Sequence, residues 1–194
     1  VDVAKMAVTG ERRFAWPVNC TATALDGSMQ CVAGDSTDAL LVDPRQPSRV
    51  SARLTGHLDY VFACAISHDG LRVATGSQDT TVRLYDARWP TQAVGAAAGL
   101  LGAMRVVKFS ACGRYLMATE PADYVHVYDA RTMATAQDIE VMGEIAGAAF
   151  APDAQSLFFA IADPMHSSGL VEFTGMHPSG SECLGGIVSP SLLL

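Results

Sequence analysis

The stretch Leu54–Arg88 reads LTGHLDYVFACAISHDGLRVATGSQDTTVRLYDAR. It opens on a Gly-His pair, Gly56-His57, and closes on Tyr85-Asp86. Between them lie three short apolar runs, Tyr60–Ser67, Leu71–Thr75 and Val82–Tyr85. Asp69-Gly70 separates the first two, and Ser77–Thr80 the last two. Both separators carry turn chemistry, because Asp and Ser bond their own backbone and Gly accepts a left-handed conformation. Within the runs the side chains alternate: Val82 and Leu84 share one face and Arg83 takes the other, the period-two signature of a strand.

The rest of the chain repeats this template. Gly27, Gly70 and Gly113 are spaced by 43 residues, as are Asp43, Asp86 and Asp129, and each Gly precedes its Asp by 16. A period of roughly 40–45 residues with four strands per unit is the signature of propeller blades. The core strands of four units fall at 19–48, 54–88, 100–131 and 143–173. Residues 1–18 read as the end of a preceding unit, since Asp2 stands 41 residues before Asp43. On that reading Ala7–Ala15 is a strand leading into the first full unit. The blades occupy 1–174, and 175–194, rich in Gly, Ser and Pro and then apolar, reads as an irregular tail.

Composition narrows the function. The chain has 194 residues, 49% of them hydrophobic and 17% charged, so it folds around a core. Its net charge is −7 and Arg12-Arg13 is its one adjacent basic pair, which argues against a nucleic-acid partner. No apolar run approaches the roughly 20 residues that span a bilayer, and the N-terminus lacks a signal-peptide pattern, so no membrane partner is expected. The five cysteines have no metal or disulfide spacing. They fit reduced thiols in the cytoplasm and/or nucleus.

Gly56-His57, Thr75, Asp79 and Tyr85-Asp86 together resemble a WD-repeat blade, and the chain resembles part of a WD-repeat β-propeller. The resemblance implies a structural relay of His57, Thr75, Asp79 and Tyr85, with Tyr85 where the family places the tryptophan of Trp-Asp. It also implies that four units and a partial one are about half of a seven-bladed ring. The strings Trp16–Asn19, Gly34–Thr37, Gly56–Tyr60, Glu120–His126 and Gly143–Gly147 resemble, over about residues 14–173, a little-characterised group of plant and fungal WD-repeat proteins. That group has no assigned enzymatic activity and adds little about role; no cofactor is expected, since the chain carries no phosphate-cradling Gly loop or HExxH motif.

His57 and Asp79 also match two members of a catalytic triad, but the chain has no nucleophile elbow, and the relay is the better reading. Two other features mark candidate protein-binding residues. Glu120–His126 breaks the template with Pro121 and brings Glu120, Asp123 and His126 close together; a turn that sets the fold is the first reading and a recognition turn the second, and since these three lack metal-ligand spacing no metal is expected. The recurrence Asp-x-Arg sets Arg45, Arg88 and Arg131 after the third strand of three units. In some WD-repeat proteins a Trp-Asp-x-Arg box contacts the adaptor of a cullin-RING ubiquitin ligase, and Tyr85 and Tyr128 make the boxes here degenerate. The function expected is an interaction scaffold for a protein or peptide partner. A ligase substrate receptor is the alternative, and an enzyme with a site in a central channel a remote one.

Overall fold

The computed structural model describes residues 6, 8, 10–46, 49–162, 168–174 and 191–193. His166, His177 and Cys183, with most of the expected tail, lie outside them. The described residues form strands and turns, with no helix.

The turn spacing read from the sequence governs the hairpins. β1 (Val18–Thr23) turns into β2 (Gln30–Gly34), β5 (Val61–Ile66) into β6 (Arg72–Ser77), and β9 (Val106–Phe109) into β10 (Tyr115–Thr119). Gly27, Gly70 and Gly113 sit in these three turns with φ of +69°, +70° and +69°. Each donates its N–H at 2.9 Å to the carbonyl three residues back. A fourth hairpin joins β12 (Thr135–Phe150) to β13 (Ser156–Ala162). Ala154 closes it with φ +58° and the same bond to Ala151.

Third strands follow as expected: β3 (Ala39–Val42), β7 (Thr81–Asp86), β11 (Ala122–Asp129) and β14 (Gly169–Thr174). The outer strands β4 (Val50–Leu54) and β8 (Ala93–Ala98) lie between the core segments read from the sequence. All neighbours pair antiparallel. The sheets run β1-β2-β3-β4, β5-β6-β7-β8, and a seven-stranded β9 to β15, where β15 is Ser191–Leu193.

Three expectations change. Residues 8 and 10–15 carry no strand; instead Phe14 and Trp16 stack, ring centroids 5.0 Å apart, on Val32, Leu40 and Val42 of the first sheet. The apolar spacing of Phe14 and Trp16 serves this cap rather than a ladder. Ser191–Leu193 pair with β14 instead of continuing an irregular tail. The third and fourth units are not separate sheets, because β12 runs through both. Its first half pairs with β11 and its second with β13, and Glu144 is opposite both Ala122 and Ala162. The earlier units are joined by connections, 55–60 and 99–105, whereas at this junction no residues intervene.

The sheets stack face to face. On β6, Val73 packs toward the first sheet and Ala74 toward the third. On β10, Leu116 packs back toward the second sheet and Met117 forward onto Leu157 and Phe159. Both faces of these middle strands are covered, which explains their near-continuous apolar sequence.

Ala154 carries the cost of a left-handed residue with a Cβ. Ala154→Gly is expected to raise stability by about 1 kcal/mol, and Gly70→Ala to lower it by a similar amount, in urea unfolding. A loss of stability in Ala154→Gly would show that the fourth hairpin does not share the geometry of the other three.

Candidate functional site

The connections between sheets set a local problem. Residues 55–60 and 99–105 leave the ladders, so their backbone N–H groups need acceptors elsewhere. In each connection part of that demand is met by a carboxylate from the turn between the second and third strands of the blade it enters.

In the second blade that carboxylate is Asp79. Gly56 bends the chain inward at φ +122°, where an added Cβ would lie 2.8 Å from Arg83 Nη1. His57 follows and is buried. Its Nδ1 is 3.0 Å from Asp79 Oδ2 and its Nε2 is 2.7 Å from Thr75 Oγ1. Burial holds His57 below the ordinary imidazole value, against the opposing pull of Asp79. The ring is therefore neutral, with Nδ1–H donating to Asp79 and Nε2 accepting from the Thr75 hydroxyl. Burial opposes ionisation of Asp79 too, but the donors Thr81, Leu58 and His57 outweigh it and bring the carboxyl down to about 2. The Leu58 amide donates to Asp79 Oδ2 at 2.9 Å, and the Thr81 hydroxyl to Oδ1 at 2.6 Å. Tyr85 joins from the other end: its hydroxyl donates to the Thr55 carbonyl at 3.0 Å. Burial pushes this phenol up to about 12, against the pull of the neighbouring Thr75 hydroxyl. The structure thus brings all four relay residues around one connection, with Tyr85 acting on its backbone.

The third blade solves the same problem with other residues. Glu120 accepts the amides of Leu100 at 2.6 Å, Leu101 at 2.8 Å and Gly102. Burial would raise this carboxyl; the three amides and His126 outweigh it and hold it below the ordinary glutamate value. His126 Nε2 lies 2.8 Å from Glu120 Oε1, and its Nδ1 lies 2.7 Å from Asp138 Oδ1 on β12. Tyr124, His126 and Tyr128 alternate along β11, and their rings lie nearly parallel about 6 Å apart. A Cβ at Gly99 would come within 2.5 Å of Glu120 Oε1, so the connection passes directly over the carboxylate.

This corrects the reading of Glu120–His126 as a recognition turn. Glu120 is 0% exposed and His126 2%, so neither can touch a partner; the template breaks because the loop-holding group has moved from a turn Asp to a buried Glu. Asp123, half-buried at φ +70°, accepts the Gly143 amide at 3.3 Å and stays in the turn. Among the described residues no cluster of His, Cys, Asp and Glu has the arrangement of a metal site. Arg45 and Arg88 fold back on Asp43 and Asp86 through paired nitrogens at 2.6–3.0 Å. Asp129 instead takes the Arg131 and Thr132 amides, and the Arg131 guanidinium makes no ion pair among the described residues.

Sequence reasoning passed over Asp138 and the connection residues Leu58, Leu100 and Leu101. Leu58 is 85% exposed, Leu100 58% and Leu101 67%, although their own amides are tied to a buried carboxylate. The signal was the Gly99-Leu-Leu-Gly102 string, which has apolar side chains but no strand alternation.

Stacked antiparallel sheets, with a carboxylate beneath each of the two connections 55–60 and 99–105, have the blade architecture of a β-propeller. Residues 48–86 match the family model described as WD domain, G-beta repeat. No curated protein matches the chain. A chain in the crystal structure of the mitotic checkpoint complex is similar, with a TM-score of 0.71 and 18% identity over 81% of this chain. At that identity the likeness is one of fold, and this chain spans about half (48%) of that one.

Tyr128 stands where Tyr85 does one unit earlier, yet its buried hydroxyl has no hydrogen-bond partner among the described residues. Tyr85→Phe is therefore expected to cost about 1 kcal/mol, and Tyr128→Phe to be neutral or stabilising, in urea unfolding. Equal losses in both variants would contradict this difference.

Proposed function

We propose that the chain is a non-catalytic protein-interaction scaffold whose contact surface is the pair of connections entering the second and third blades. The observation that carries this is the coupling of exposed leucine side chains to buried amide anchors at Leu58, Leu100 and Leu101. A backbone held in place before contact loses little conformational freedom on binding. Tyr60, 48% exposed, extends the same surface.

Support for a non-catalytic role comes from the two buried histidines, since His57 and His126 spend both ring nitrogens on internal partners. The scaffold needs no cofactor. We place it in the cytoplasm and/or nucleus, in keeping with the free thiols of Cys20, Cys31, Cys64 and Cys112. Its kinship with the plant and fungal group rests chiefly on the Glu120–His126 string, which acts in this chain as one loop-holding device. The ubiquitin-ligase receptor reading narrows to Arg131, because Arg45 and Arg88 are engaged by their own aspartates.

Affinity capture with mass spectrometry tests the scaffold. Leu58→Asp combined with Leu101→Asp should leave the melting temperature within a few degrees, as exposed substitutions do, and remove the proteins that the unaltered chain captures. Capture that survives both substitutions would place the contact surface elsewhere.

A further inference from the structure

The same face carries a cation placed for a specific kind of partner. Arg105 immediately precedes β9, and its amide is fixed on the Thr119 carbonyl at 2.9 Å. Its guanidinium carbon lies 4.1 Å from the ring centroid of Phe62 on β5. Stacking of this kind uses the guanidinium face and leaves the N–H groups on its rim for an acceptor. Arg105 is exposed and makes no ion pair among the described residues.

Ser77 ties this residue to the leucine surface. Its hydroxyl donates to the Tyr60 carbonyl at 2.9 Å, and its own carbonyl accepts the Met104 amide at 2.9 Å. Tyr60 and Phe62 are thereby set beside Met104 and Arg105. The nearby carboxylates are already engaged: Asp59 accepts the Tyr60 amide at 2.7 Å, and Glu120 holds the second connection.

We propose that the connection surface binds an acidic peptide segment, with a partner Asp or Glu side chain on Arg105 and aliphatic side chains against Leu58, Tyr60 and Leu101. The assignment rests on the scaffold reading and gives it a partner chemistry. A carboxylate matches the planar fork of arginine, and the flanking leucines match aliphatic side chains rather than a phosphate backbone.

The probe is a phage-displayed library of random peptides selected on the whole chain, with the enriched peptides resynthesised and their affinities measured by fluorescence anisotropy. Enriched sequences should carry Asp or Glu beside Leu, Ile or Phe. Arg105→Glu should weaken them about tenfold or more and Arg105→Lys by less, since lysine keeps the charge but loses the stacked planar fork, with thermal melting unchanged in both. Selection repeated on Arg105→Glu should favour Lys or Arg in place of the acid. Peptides that depend on Leu58 and Leu101 but are indifferent to Arg105→Glu would overturn the acidic assignment and leave the scaffold standing. Failure to enrich any peptide that depends on Leu58 and Leu101 would overturn both.

Discussion

A carboxylate tucked beneath a connecting loop is the interaction on which the arrangement of blades depends. Chain leaving one antiparallel sheet for the next has no ladder to satisfy its amides, and unpaired buried amides are costly. Asp79 and Glu120 answer that demand in successive blades. Their side chains are 7% and 0% exposed. Each stays ionised because the donors around it outweigh the burial that opposes charge. Around these two groups the inner strands β5 and β9 start at fixed positions, and the cores between sheets follow from there.

The two clamps differ in where their histidine originates. His57 arrives on the loop itself, directly after the glycine that bends the chain. His126 comes from the third strand of the blade and is held from behind by Asp138. Both arrangements place an imidazole against the carboxylate, so the function of the relay persists while its residues change. This explains how the leucines above both loops can be solvent-facing and still well positioned. At the next junction there is no separate connection: β12 runs on with shifts in register, and Gly143, at φ +124°, has much the conformation of Gly56. Met142 is exposed there; Asp123 accepts the Gly143 amide and the Pro121 carbonyl accepts that of Ile145, while the ladders pair the residues on either side.

Much of this was legible in the sequence for physical reasons. Gly27, Gly70 and Gly113 marked the hairpins because a left-handed turn residue is a local requirement, independent of what packs around it. His57, Thr75 and Asp79 were legible because their spacing repeats a known blade. The outer strands were not: Ala93–Ala98 has small side chains and one solvated face, which leaves little pattern to read. The burial of Glu120 was hidden for a different reason. Its partners Leu100 and His126, and Asp138 behind His126, lie on three separate elements, and only the fold brings them together. A carboxylate at a turn ordinarily faces water, so the sequence pattern favoured a surface role. The alternation of Tyr124, His126 and Tyr128 was the one local hint that this side of β11 turns inward.

Amide hydrogen exchange, followed residue by residue in the unaltered chain and in Glu120→Gln, tests the clamp most directly. If Glu120 holds the loop, the amides of Leu100, Leu101 and Gly102 are protected in the first and exchange much faster in the second. Leu58, held by Asp79, should keep its protection in both. Unchanged protection of Leu100 to Gly102 in Glu120→Gln would contradict the central role of the buried carboxylate.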